Sequence, residues 1–382
     1  MPVLHARRLF DGTAEHLHHD ATIVIEDARI ARVETGVPAP DGAQIVETVL
    51  PGLVDGHVHL AFDASPDPVA TLDARDDAAA FAAMTAAARY AVKGGITTVR
   101  DLGDRGYLSL GLRDAAANDP SLPTIVAAGP PITTPGGHCH FLGGAAEGVD
   151  GVRAAVRQHA ERGVDVIKIM ASGGNLTPGS RPEVPQYELA ELRAAVDEAH
   201  RLGLPVVAHA HGRQAIADAL AAGVDGLEHV TFMTADGVDD IPDDLLAALA
   251  AGPVIGVTLG VVPGNAPLPA MAARLPKLVA NLRRLCEAGA TVIPGTDAGV
   301  SPGKPHDVLR YAIGNLAQIG LTPAAALRAA TSGAATACGL GERKGRVAAG
   351  YDADLLIVDG DPLTDPEALH RIHAVYVRGV AY

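Results

Sequence analysis

The chain has 382 residues, 48% of them hydrophobic, enough for one large domain beside a smaller one or for two or three ordinary domains. A formal net charge of −15, with no Lys/Arg cluster, argues against nucleic acid or an anionic membrane as partner. The opening "MPVLHARRLFDGTAEHL" has no long apolar stretch after its basic residues, so neither a secretory signal nor a spanning helix is expected, and a cytoplasmic location is. Cys139, Cys286 and Cys338 are odd in number and far apart, as reduced thiols are; Cys139, lying between two histidines, reads as a loop bystander rather than a soft metal ligand.

Residues 1–50, with "ATIVIEDARIARVETG" among them, alternate apolar and polar residues between Gly and Asp turns, as half-buried strands do. From residue 52 the pattern changes to short apolar runs separated by longer helical ones. The strand candidates are 52–60, 96–103, 124–129, 164–170, 205–212, 224–230, 253–259 and 291–299. Between them lie Ala-rich stretches such as "DDAAAFAAMTAAARYAVKGG", several ending in Gly just before the next strand. Eight such units predict an α/β fold, a (β/α)8 TIM barrel over residues 51–344. A doubly wound open sheet is the runner-up, without a G-x-G-x-x-G after an early strand to support it. Residues 345–382 return to alternation and are expected to join residues 1–50 in a small β-sandwich domain.

On a barrel, reactive side chains gather at the C-terminal ends of the strands. His57 and His59 end the first run at i, i+2, on one face of the strand; Lys168 lies near the end of the fourth, with His209, His229 and Asp297 at the ends of the fifth, sixth and eighth. Each has an ordinary explanation alone: a hydrogen-bonded structural histidine, a helix-capping aspartate, a lysine paired with a carboxylate such as Asp101. Six at the ends of five strands, an H-x-H pair included, point to a metal site. Imidazole and carboxylate suit Zn²⁺, with Mn²⁺, Co²⁺ or Fe²⁺ as alternatives. Four histidines and one aspartate suffice for one metal and are thin for two.

These motifs, from "RLFDG" and "PGLVDGHVHL" through "VIKIMASGG", "VVAHAHG", "GLEHV" and "GTDAG" to "GRVAAGYDADLLIVDGDPL", resemble the amidohydrolase superfamily over nearly the whole chain. "IKIMASGG", "HAHG" and "PITTPGGH" are most similar to the branch holding Xaa-Pro dipeptidases, ochratoxin-hydrolysing amidases and imidazolonepropionase-like proteins. The resemblance implies two divalent metals bridged by a carboxylated Lys168 (N6-carboxylysine). His57, His59 and Asp297 would hold the buried metal, and His209 and His229 the more exposed one. His209 is preferred to His211 because it stands 20 residues before His229, the usual separation in this branch. A carbamate forms only from the neutral amine, which an apolar strand favours, and two dications stabilise the resulting anion. A water bridging the metals would become a hydroxide nucleophile, with Asp297 carrying its proton to the leaving nitrogen. His138 and His211 are implied substrate contacts; His140 and Arg213 are equally read as surface residues, and His306 as a residue orienting the loop beside Asp297.

The expected reaction is hydrolysis of an amide in an N-acyl amino acid, dipeptide or related small molecule, with a homo-oligomer left open. Cyclic amides, lactones and esters fit the same metals. A mononuclear deaminase of this fold uses a glutamate soon after the strand-five histidine, which "HAHGRQ" lacks. A non-catalytic scaffold tends to lose ligands, and here all are present.

Overall fold

The computed structural model describes residues 2–265 and 269–382. Four strands come first: β1 (Val3–Leu9), β2 (His18–Glu26), β3 (Arg29–Glu34) and β4 (Gln44–Pro51). Eight more alternate with helices: β5 (Leu53–Val58), β6 (Ile96–Asp101), β7 (Thr124–Ala127), β8 (Ile167–Met170), β9 (Val206–Ala210), β10 (Gly226–His229), β11 (Val254–Thr258) and β12 (Val292–Gly295). Each falls inside a run picked out by its apolar residues. Three strands close the chain: β13 (Leu355–Val358), β14 (Ile372–Val377) and β15 (Val380–Ala381).

The eight central strands pair in parallel with their sequence neighbours, β5 to β7 in one sheet and β8 to β12 in another. Two parallel bridges join these sheets: Ile132 to Ile169 and Val58 to Ala298. Around the first, the Met170 amide donates to Ile132 O at 2.9 Å and the Ile132 amide to Lys168 O at 2.8 Å. The fold is therefore mixed α/β with parallel sheets, consistent with an eight-stranded barrel, and the strands' C-terminal ends share one side.

The helices form for local reasons the sequence exposes. In Asp77–Lys93 the Asp76 carboxylate accepts from the Ala79 amide at 2.8 Å, capping the N-terminus, and Ala80, Met84, Ala88 and Ala91 make one buried stripe. Helix Gly148–Arg162 stops at Gly163, whose φ of 81° lets its amide turn back onto Ala160 O.

Both chain ends meet in one seven-stranded sheet, in the order β15, β14, β13, β4, β1, β2, β3. A sandwich of two separate facing sheets is not shown, because the pairing is continuous through all seven strands. The sheet rolls back on itself instead: the Ile30 amide donates to Tyr351 O, the Gly350 amide to Ile30 O, and Arg29 bridges Asp352, just ahead of β13. Alternation then serves two cores. Leu355, Ile357 and Tyr376 pack inside the roll with Leu4, Ile23 and Ile30, while Leu356, Val358, Val375 and Val377 pack with the helix-covered core of the central strands. Leu356→Ala should remove about 2–5 kcal/mol of stability. The check is the urea midpoint, with exposed Ile45→Ala as the near-neutral control.

Candidate metal centre

The six strand-end residues singled out from the sequence come together at one end of the parallel strands. Two clusters of ligand atoms result, His57/His59/Asp297 and His209/His211/His229, each with its atoms within 4.8 Å of one another. The His57 and His229 ring centroids are 5.2 Å apart, so the clusters are neighbours.

Strand pairing sets the first cluster. Asp55, buried in β5, accepts from the amides of His57 and Thr296 at 3.2 and 3.1 Å and from Thr296 Oγ1 at 2.6 Å. The two strand ends are thereby pinned together. His306 donates from Nε2 to His59 O at 3.2 Å, and Lys304 donates to Thr296 O at 2.6 Å and Thr258 O at 3.2 Å, holding the loop beside Asp297. Asp297 has φ of 58° and His229 has φ of 75°, left-handed conformations that cost a non-glycine residue roughly 1–3 kcal/mol each. At His229 the turn breaks the alternation, so Glu228 and His229 both serve the centre although they are consecutive.

Each imidazole has one nitrogen engaged. His59 donates from Nδ1 to Gly103 O at 3.1 Å, and His209 from Nε2 to Gly173 O at 3.0 Å. A carbonyl only accepts, so in the neutral ring these bonds fix the tautomer and leave the other nitrogen as a lone pair. His57 Nδ1 meets Glu228 Oε2 at 2.8 Å, His211 Nδ1 meets Thr231 Oγ1 at 2.8 Å, and His229 Nδ1 meets Thr258 Oγ1 at 3.0 Å. An orienting partner on the far nitrogen is what metal-ligating histidines carry.

In the first cluster His57 Nε2 and His59 Nε2 stand 3.3 Å apart, with Asp297 Oδ1 at 3.5 and 3.3 Å from them. Three acceptor atoms facing one another repel unless a proton or a metal ion sits among them. Burial and the nearby Lys168 charge lower His57 to about 4; burial also lowers His59, but the Asp297 carboxylate outweighs it and raises that ring. Burial and the surrounding histidines hold His209 and His229 well below the ordinary histidine value, and bring His211 down to about 3. Burial works against Asp297, yet His59 and His57 keep its carboxyl well below the ordinary range. Except at His59, whose proton a metal would have to displace, neutral imidazoles and an ionised carboxylate are the protonation states a metal requires.

Lys168 is 1% exposed, and its Nζ has no hydrogen-bond partner among the described residues. Burial lowers it to about 8, against the pull of Glu228 and Asp297. Asp101, the carboxylate considered as its partner, is occupied by the amides of Leu60 and Gly103.

A profile of the amidohydrolase family matches residues 48–381, from the last strand before the H-x-H to the end of β15. The chain belongs to the amidohydrolase family. It is 30% identical to the ochratoxinase of Aspergillus niger over 98% of this chain and 84% of that protein, and 28% identical to the imidazolonepropionase of Micrococcus luteus over 92% and 89%. Among solved structures, a Xaa-Pro dipeptidase with methionine bound in its active site superposes with a TM-score of 0.87 at 29% identity, covering 100% of this chain and 99% of that one.

The remaining sequence candidates divide. In this amidohydrolase His138 is buried, its ring 4.8 Å from that of His209, and its Nδ1 has no partner among the described residues. His211 lies inside the second cluster with His209 and His229, so the geometry groups it with the ligands as well as with the pocket. His140 and Arg213 are exposed. Cys139 is a buried free thiol whose amide donates to Thr177 Oγ1 at 2.8 Å.

Two buried charges were missed. Glu228, 1% exposed, accepts from His57, and its other oxygen accepts from Arg100 Nη2 at 3.0 Å; Arg100 is 4% exposed. The signal was the one that marked Lys168, a charge inside an apolar strand, in "GLEHV" and "TTVRD". No described helix is long and apolar enough to cross a membrane.

Proposed function

We propose that this amidohydrolase cleaves the amide bond of a small molecule such as an N-acyl amino acid or dipeptide, on a binuclear metal centre with N6-carboxylysine at Lys168. The catalytic unit is a closed (β/α)8 barrel of residues 51–344, and the sheet from residues 1–50 and 345–382 is its accessory domain. One observation carries the two-metal reading: Lys168 Nζ, without a partner among the described residues, is buried near the two groups of candidate ligands. A buried amine without a partner is costly, and CO₂ converts it into an anion able to serve both groups. The ochratoxinase and the Xaa-Pro dipeptidase among the relatives support the substrate class.

His57, His59 and Asp297 would hold the buried metal, His209 and His229 the more exposed one, and carboxylated Lys168 both; Zn²⁺ suits the donors best. When bound, such a pair lowers the pKa of water toward neutrality and polarises a carbonyl. Asp297, kept ionised, takes a proton and returns it to the leaving nitrogen. His138 Nδ1, buried and without a partner among the described residues, would meet the substrate's carbonyl oxygen, and His211 its carboxylate.

The test is metal analysis joined to a substrate screen. Purified protein should hold about two divalent ions per chain, lose hydrolysis of N-acyl amino acids and dipeptides on chelation, and regain it with zinc. Full activity with a single tightly bound ion would overturn the binuclear reading.

A further inference from the structure

We propose that Glu228 and Arg100 form a positioning pair that orients His57 as a ligand and ties the two halves of the centre together. The proposal rests on His57 holding a metal. Glu228 spends both oxygens on charged or ring donors: Oε1 accepts from Arg100 Nη2 at 3.0 Å and Oε2 faces His57 Nδ1 at 2.8 Å. Arg100 is fixed in turn, donating from Nε to Gly56 O at 2.8 Å and from Nη1 to Ala337 O at 3.4 Å. The carboxylate therefore cannot rotate without losing a charged partner, and His57 must keep its proton on Nδ1 and its lone pair on Nε2.

The neighbouring strand leaves room for this arrangement. Gly256 of β11 lies opposite Glu228 of β10, and a Cβ at 256 would overlap the Glu228 carboxylate. An ion pair serving only stability could sit at many places in the fold. This one ends on the ring nitrogen opposite the candidate ligand atom, from the residue next to His229. A shift of Glu228 would thus disturb one ligand in each cluster, His57 through its ring and His229 through the shared backbone.

Outer partners of ligating histidines contribute roughly 10–100-fold to metal affinity. Glutamine at 228 cannot replace the carboxylate, since its amide offers one acceptor and would turn its NH₂ toward either Arg100 or His57, both donors. The experiment compares wild type with Glu228→Gln and with the charge-balanced Arg100→Gln/Glu228→Gln, which avoids an unpaired buried guanidinium. Zinc affinity is read by chelator competition, the cobalt form by its visible spectrum, and folding by thermal melting. Both variants should bind zinc about 10–100-fold more weakly, with an altered cobalt spectrum, and the double variant should melt near wild type. The ¹⁵N spectrum of wild-type metal-free protein should show His57 protonated on Nδ1. Wild-type zinc affinity in a double variant that melts normally would overturn the pair's role, as would an Nε2–H tautomer or a loss of zinc only as large as general unfolding explains. A wild-type protein that binds no zinc would sink the metal reading instead, so the two failures are distinguishable.

Discussion

Lys168→Ala is expected to strip metal from the centre and to cut amide hydrolysis by well over 100-fold, a loss that removing a mere outer partner of a ligand already approaches. The residue is fully enclosed and its Nζ has no hydrogen bond among the described residues, so alanine breaks no ion pair or hydrogen bond and the fold should survive. What disappears is the only atom in β8 that can become a bridging anion. Formate or acetate should enter the vacated space and restore part of both metal content and turnover. Metal analysis and activity, measured with and without the added carboxylate, check this together. A variant with full metal and normal turnover would show that the imidazoles and Asp297 suffice.

Asp297→Asn should behave differently. The amide is isosteric, and the backbone of 297 is held by its amide's bond to His57 O, so the protein should stay folded and melt near wild type. Turnover should fall by about 10²–10⁴, the contribution of a positioned general acid–base group. Metal affinity should weaken as well, since Asn supplies a neutral ligand atom. Separating the two effects needs kcat measured at saturating zinc: a deficit that persists there belongs to proton transfer, and near-normal turnover would remove Asp297 as the shuttle.

How much of this was legible in the sequence follows from what each residue type reveals. The eight central strands were readable because buried parallel strands are short apolar runs between helical ones, and His57, His59, Lys168, His209, His229 and Asp297 were readable because their polarity contradicts those runs. The terminal sheet was only half readable. Alternation in "ATIVIED" and "DLLIVD" says that a strand has two unlike faces, not whether both faces find cores through one rolled sheet or two stacked ones. Glu228 was overlooked because adjacent residues of a strand ordinarily face opposite ways, and only the left-handed backbone at His229 turns both toward the centre. Choosing between His209 and His211 is harder still. They are two residues apart on the same face, and the structure keeps both with His229.

The pairing of β4 with β13 carries a consequence for synthesis. Leu50 and Pro51 leave the ribosome together with β5, but the strand that covers them, with Leu355 and Leu356, is made only after the whole run of central strands and helices. Until then a hydrophobic edge with open backbone groups stands just before the N-terminal end of β5, available to any other strand. A chain interrupted before β13 would carry every metal-ligand candidate and still expose that edge, making aggregation rather than lost chemistry its first failure.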